Sequence, residues 1–378
     1  MQRTALILGG GPAGAVAGKR LLDRGLAVTL VEAKRFPRDK VCGECLSALG
    51  LATLDEVGLG DVLQSLQPAS LRRSRIVTRR GRRLDLDLPA EMAGVTRSAM
   101  DAALLNAVQN AGATVIQPAV GRLTTGGIEV RDLKTNEVQT LCPDVVVLAD
   151  GKSSFDDGPP PATGDFGVKV HLRNVDLPTD TIALFGLRGH YVGVAPVSDG
   201  DGLVWNLAMS VPAERLKRFG RDFDGLLSRC RSDNAALDVA LGDATIAGNW
   251  LTCPLPRFAV RRDWPRNVIP IGNAAAALEP IGGEGMGLAM HSAMLGADAI
   301  ASDVVEVLPA RFDRLWRRRR AACRATAVLV SGPFSEPAIL LAQWCGPMTR
   351  WLIRGMGKRD ARGDRSIPFP NPRPTAIS

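Results

Sequence analysis

The run TALILGGGPAGAVAGKRLLDRGLAVTLVEAKR, residues 4 to 35, constrains this chain more than any other feature. The apolar residues Ala5–Leu8 suit a buried parallel strand, and a glycine turn, a helix and a second strand (LAVTLVE) follow. Gly9, Gly11 and Gly14 form G-x-G-x-x-G. The first glycine allows the tight turn, the second lets the backbone approach a pyrophosphate, and the third lets the helix sit close to the strand. Glu32 closes the second strand, near the ~20-residue offset at which a carboxylate reaches ribose hydroxyls. A glycine turn alone is weak evidence. Strand, turn, helix, strand and carboxylate together predict a dinucleotide site, without deciding between NAD and FAD.

The rest of the chain narrows the class. With 378 residues, 46% hydrophobic and 23% charged, it suits two globular domains with a large core. The N-terminus has a basic residue and an apolar run, but glycines interrupt the run, so it reads as a nucleotide motif and not as a leader. Seven cysteines, scattered apart from Cys42 and Cys45, suit a reducing cytoplasm, so the expected location is cytoplasmic. Much of the +8 charge lies in RFDRLWRRRRAACR, residues 311 to 324, a solvated helix face or a contact with anionic lipid. No recognition motif accompanies that charge, which argues against nucleic acid.

Two later segments matter. CPDVVVLADGKSS, residues 142 to 154, reads as a buried strand ending at Asp150-Gly151. NVIPIGNAAAALEPIGGEGMGLAMHSAMLGADAI, residues 267 to 300, reads as a strand, a loop and a long helix of small residues. Gly282, Gly283, Gly285 and Gly287 crowd the helix start, where close backbone approach and the positive helix end suit an electron-rich ring or a phosphate.

The dinucleotide fingerprint, the ADG at Ala149–Gly151 and GNAAAALEPIGGEG, Gly272–Gly285, resemble FAD-dependent oxidoreductases with the p-hydroxybenzoate hydroxylase and geranylgeranyl reductase type of fold. VTRSAMDAALLNAVQNAGATV, Val95–Val115, is similar to that family's R-x-x-x-D-x-x-L helix. The resemblance spans about residues 1 to 330. It implies that Gly9, Gly11, Pro12, Ala13, Gly14, Glu32, Ala33 and Lys34 hold the ADP half of FAD. It places Arg97, Asp150, Gly151, Gly272 and Asn273 near the pyrophosphate and ribityl chain, and Pro280, Gly283, Gly285, Met286 and Gly287 beside the isoalloxazine. Asn273 stands where the family has an aspartate; it still offers a hydrogen bond but no charge.

KVCGECLS, residues 40 to 47, resembles the CG segment of geranylgeranyl-reductase-like proteins and shares Gly-Glu with the GES of flavin halogenases. The resemblance implies that Cys42, Gly43 and Glu44 line the cavity facing the flavin. No metal is expected, because a structural zinc site needs about four ligands and no second ligand pair accompanies these cysteines. A flavin-coupled disulfide, a purely structural pair, and a pocket thiol acting with Glu44 in proton transfer remain alternatives, the last preferred.

The expected fold class is α/β, α+β overall: a Rossmann-like FAD domain (1–75, 91–160 and 255–305), an antiparallel substrate sheet (76–90 and 161–254), C-terminal helices (306–358) and a disordered end (359–378). The middle alternates apolar and polar residues, which reads as an antiparallel sheet. GHYVGVAPVSDG resembles the family strand that crosses near the flavin ring, which implies Tyr191 as a catalytic candidate and His190 as a second cavity candidate. The tail, 306 to 358, reads as a cover over the core or as a membrane-surface helix, so peripheral membrane contact is a possible partner interaction. The electron donor is NAD(P)H or a separate reductase, since no second nucleotide fold is visible between residues 160 and 260. The expected activity is reduction or desaturation of a carbon–carbon bond in a hydrophobic small molecule. The alternatives are monooxygenation of an aromatic or polyketide and, from another class, a non-catalytic flavin carrier. Oligomeric state is left open.

Overall fold

A computed structural model describes residues 2–151, 164–255, 260–261, 264–265 and 267–344. The linker expected at 155–163, the disordered end at 359–378 and the last part of the helical tail lie outside the described residues. The chain folds as a mixed α/β protein with two main sheets.

The first sheet is parallel, in the order Val268–Pro270, Val145–Leu148, Thr4–Leu8, Ala27–Val31, Thr114–Ile116. Ile7 sits opposite both Val147 and Leu30. Both faces are covered, which is why Val145–Leu148 reads as an unbroken apolar run and is buried throughout. Two helices pack over one face: the fingerprint helix Pro12–Asp23 and the long helix Gly285–Ala301. Arg20 and Arg24 both grip Asp298 between them, at 2.8 and 2.7 Å. A three-stranded antiparallel ribbon, Ala119–Thr124, Gly127–Asp132 and Val138–Leu141, covers the other face.

The second sheet has nine strands, with Asp165–Arg173, Leu203–Pro212, Tyr191–Ser198 and Thr181–Gly186 as its antiparallel centre. Ala69–Val77 joins parallel to Thr181–Gly186 and pairs antiparallel with Arg83–Gly94. The early excursion into this sheet therefore runs from residue 69 to 94, wider than the 76–90 expected, and Cys45–Leu46 also pairs onto it. Period-two alternation sorts the faces: Asn206, Ala208 and Ser210 face a cavity, while Leu207 and Val211 face a second core.

That second core is closed by two helices the alternation does not announce, Phe223–Asp233 and Ala235–Ala240. Their signal is local. Asp222 caps the first through the Gly225 amide, and Asn234 caps the second through Ala236 and Leu237. Leu226, Cys230 and Leu237 then recur on one buried side. A long helix, Leu308–Ser331, and a shorter one, Ser335–Trp344, complete the described tail.

Candidate active site

A single cavity of about 1120 Å³ runs between the two sheets. This exceeds the ~300–1,000 Å³ usual for one drug-sized ligand, so it has room for a dinucleotide and a second molecule. One end is the glycine turn. Gly9 has φ +110°, and a Cβ there would lie 2.6 Å from the Ala149 carbonyl oxygen. A Cβ on Gly14 would overlap the Gly9 carbonyl oxygen, so this glycine serves helix–strand packing and does not line the cavity. Gly11, Pro12, Ala13, Glu32, Ala33 and Lys34 all line it. The buried Glu32 carboxylate accepts the Gly10 amide at 2.7 Å and the Lys34 amide at 2.8 Å, which fixes it at the mouth of the turn.

The middle of the cavity is lined by Arg97, Asp150, Gly151 and Asn273, brought together from three separate elements. Arg97 and Asp101 form a buried bidentate pair, 2.7 Å in each arm. Burial works against the Arg97 charge, but Asp101 and the Cys42 sulfur beside the guanidinium raise its pKa well above the ordinary value. Two basic residues the sequence reading passed over also line this stretch, Arg38 and Lys40. Arg38 stacks on Phe36 at 4.6 Å and lies 3.7 Å from Asp101. Burial, helped by Arg97 and Arg38, pushes Lys40 down to about 8. Their signal was the basic residues of KRFPRDK directly after Glu32, visible but without a pattern of their own.

The far end is walled by Pro280, Gly283, Gly285 and Met286 on one side and by the sheet on the other. Gly283 is left-handed at φ +65°. Nothing stands within 4 Å of a Cβ on Gly43 or Gly285, so side chains there would project into open space. Gly272 and Gly287 do not line the cavity. Gly272 makes a left-handed turn at φ +56°, and a Cβ there would press on Ala13 and Ala289. Gly287 lies in a helix crossing, where a Cβ would overlap the Ser47 hydroxyl and lie 2.9 Å from the Gly50 amide nitrogen.

Two helix ends point the same way electrically. Neither Pro12–Asp23 nor Gly285–Ala301 has a side-chain cap or an acidic residue in its first turn. By contrast Arg97–Asn110, Phe223–Asp233 and Ala235–Ala240 are all capped by side chains. The helix starts at Pro12 and Gly285 line the cavity without a side-chain cap, so their amides and positive ends are open to a ligand, whereas the start at Arg97, also on the cavity, is capped by Thr96. With the glycine cradle, Glu32 and Arg97, the residues present fit FAD.

The Cys-x-x-Cys resolves into two separate environments. Neither cysteine is in a disulfide. Both line the cavity, but Cys42 accepts from the Glu44 amide at 3.4 Å, while Cys45 donates to the Gly43 carbonyl at 3.3 Å and packs with Leu71 and Met92. Glu44 differs from the expected proton-transfer group. Its backbone is left-handed, φ 56°, and its carboxylate is wholly buried. Lys169 donates to it at 2.5 Å, His171 lies at 2.6 Å and the Arg97 amide donates at 2.7 Å. Burial opposes its charge, yet His171 and Lys169 win and hold the carboxyl below its ordinary range. Asp39, Glu44 and His171 together have metal-like spacing, but the Lys169 ammonium, 3.9 Å from Asp39, already supplies the cation.

Tyr191 lines the cavity, and its hydroxyl donates to Glu279 at 3.1 Å. Burial, then Glu279, raises the tyrosine well above its ordinary value, and burial also raises Glu279. Glu279 was missed; it stands one residue before Pro280 in the third segment. His190 turns away from the cavity. Its Nδ1 donates to the Arg188 carbonyl at 3.2 Å, its Nε2 lies 3.8 Å from the Cys230 sulfur in the second core, and burial pushes it down to about 4.

Residues 2–157 match the FAD binding domain family model. The chain is 23% identical over 325 residues to conditioned medium factor receptor 1 of Dictyostelium discoideum, covering 78% of this chain but only 62% of that relative's length. It is 24% identical to a menaquinone reductase of Mycobacterium tuberculosis, covering 91% of this chain and 86% of the relative. The flavin-dependent brominase Bmp2 superposes with a TM-score of 0.76 at 18% identity, covering 95% of this chain and 94% of that chain. A tetrameric 2-methyl-3-hydroxypyridine-5-carboxylic acid oxygenase superposes at 0.67 with 21% identity, covering 92% and 98%. The fold is that of FAD-dependent monooxygenases, and the chain is an FAD-dependent enzyme.

Proposed function

We propose that this FAD-dependent oxidoreductase is a monooxygenase of a hydrophobic aromatic or polyketide-like molecule. The observation that carries the reading is the shape of the cavity. Past the glycine loop it continues onto an apolar sheet face, Ile182, Leu184, Gly193, Ala195 and Ala208, with Tyr191 and Ser210 as polar points. Such a wall excludes water from the reacting centre and binds an apolar ring system. The oxygenase and brominase likenesses support it.

FAD, when bound, supplies the electron chemistry. The protein supplies three things. Uncapped helix ends at Pro12 and Gly285 meet negative charge. Arg97, Arg38 and Lys40, which line the middle of the cavity, would hold the phosphates. The Tyr191–Glu279 pair carries a proton between the buried cavity and the half-buried loop before Pro280.

A second reading, carbon–carbon double-bond reduction in a quinone or prenyl chain, draws on the 24% identity to menaquinone reductase and on the Cys42 thiol beside Arg97. One experiment separates them. Reduced, FAD-loaded enzyme is given isotopically labelled dioxygen and a panel of phenolic and polyketide substrates. Labelled oxygen in a product is the expected result. Turnover of a prenylated quinone without oxygen, and no label in any product, would replace the first reading with the second.

A further inference from the structure

The long helix Leu308–Ser331 has two unlike sides. Phe312, Trp316, Cys323 and Val330 face inward and are buried. This side is part of the cavity wall's support. A Cβ on Gly282 would lie 2.9 Å from the Cys323 sulfur, and a Cβ on Gly186 would overlap the Val330 carbonyl oxygen.

The outward side carries Arg314, Arg317, Arg324 and Val328, all exposed and spaced three, seven and four residues apart, which sets them along one stripe. The helix holds seven arginines against one aspartate. Apolar residues continue where the arginines stop. Val328 is 61% exposed, Phe334 72%, Leu341 56% and Trp344 84%. Large side chains this exposed and this close in sequence are a docking surface and not scattered surface apolar residues. The one acid of the short helix, Glu336, is turned onto Arg82 at 3.2 Å, so it does not dilute the positive field.

We propose that this face docks on an anionic lipid bilayer. Arginines beside an apolar rim carrying Trp and Phe match a surface that is negative at the headgroups and apolar just below them. Among the described residues no single helix is long and apolar enough to cross a membrane, although Val305–Ser331 and Ser335–Trp344 together pass that test as a pair bent by 114°; the seven arginines of Leu308–Ser331 favour contact along the surface. The docked face is then one helix thickness from the cavity, and a bilayer-dissolved substrate has a short path to it. That last step rests on the proposed function; the docking itself does not.

The test is co-sedimentation of full-length, FAD-loaded protein with vesicles of phosphatidylcholine alone or containing about a third phosphatidylglycerol. The expected result is binding to the anionic vesicles only, weakening steeply with added salt. Phe334→Ser with Trp344→Ser, and separately Arg317→Glu with Arg324→Glu, each reduce that binding by about tenfold or more. Bound FAD and melting temperature, unchanged in both variants, show that the fold is intact. No vesicle binding by the wild type overturns the proposal. So does equal binding to neutral vesicles, binding that both variants keep, or a wild-type dimer that the variants turn into monomers without any lipid binding. Because the readout is sedimentation, failure to find a monooxygenase substrate leaves the docking result standing, and failure to dock leaves the labelled-oxygen result standing.

Discussion

At the residue scale the site divides into groups that move protons and groups that hold geometry. Tyr191 is proposed for the first: its hydroxyl lines the cavity and donates to Glu279. Tyr191→Phe removes one oxygen and keeps the ring. We expect kcat to fall by about 10²-fold or more, the ordinary worth of a positioned acid or base, with FAD stoichiometry unchanged. Steady-state turnover on the identified substrate checks this. Lys40 belongs to the second group and gives a pH signature. Its pKa of about 8 means that it is charged below that pH and neutral above it. FAD affinity should therefore weaken severalfold between pH 7 and 9 in the wild type, as a phosphate-facing cation is lost. Lys40→Met should bind FAD more weakly at pH 7 and show little of that slope. Titrating apoprotein with FAD across pH measures both. Glu44 shows why residue roles were harder to read than residue positions. Its place beside the cavity followed from the segment after Glu32. Its partners, Lys169 and His171, lie 125 and 127 residues away, and no local pattern connects them.

At the scale of elements, the glycines of the third segment separate by what surrounds them. Gly285 opens a helix with an empty, acid-free first turn facing the cavity. Gly285→Asp fits the space but sets a negative charge where a reduced, electron-rich ring would gather one. The helix-end effect is worth roughly 1 kcal/mol. For a two-electron couple that is a fall on the order of 20 mV in the potential of bound FAD, measurable by dye-coupled titration. Gly287, two residues on, packs on Gly50. Gly287→Ala overpacks that crossing and should cost about 1–3 kcal/mol of stability, seen as a lower melting temperature, with little change in the potential. The sequence placed both glycines at one helix start and could not tell them apart, because the distinction depends on the helix Ala48–Glu56 that crosses above. The helices Phe223–Asp233 and Ala235–Ala240 were legible in another sense: Asp222 and Asn234 are ordinary caps, overshadowed by the alternation of the strands before them. The parallel sheet was the plainest element, since strands buried on both faces leave unbroken apolar runs such as Val145–Leu148.

At the scale of the whole molecule, the buried Glu44 carboxylate ties the start of the helix Arg97–Asn110 to Lys169 and His171 on the large sheet. Glu44 sits in the segment that leaves the dinucleotide domain, and Lys169 lies in a central strand of the large sheet, 1% exposed. Glu44 also lines the cavity, so the contact bears on the cavity as well as on the stability of the fold. A buried pair adds little over an apolar one, but removing one partner strands the other charge. Glu44→Gln leaves the Lys169 ammonium without its carboxylate and should cost about 3–5 kcal/mol at pH 7. The pH dependence has a definite sign. The Glu44 carboxyl is held below its ordinary value in the folded protein, so the unfolded chain takes up its proton first as pH falls. Its contribution is fully present above the unfolded value, about 4.3, and is lost as pH drops through the lower folded value. Melting temperatures of wild type and Glu44→Gln should therefore be furthest apart near neutrality and converge below about pH 4. A gap that stays constant from pH 7 to pH 3 would mean that shape, and not the charge of Glu44, holds these parts together.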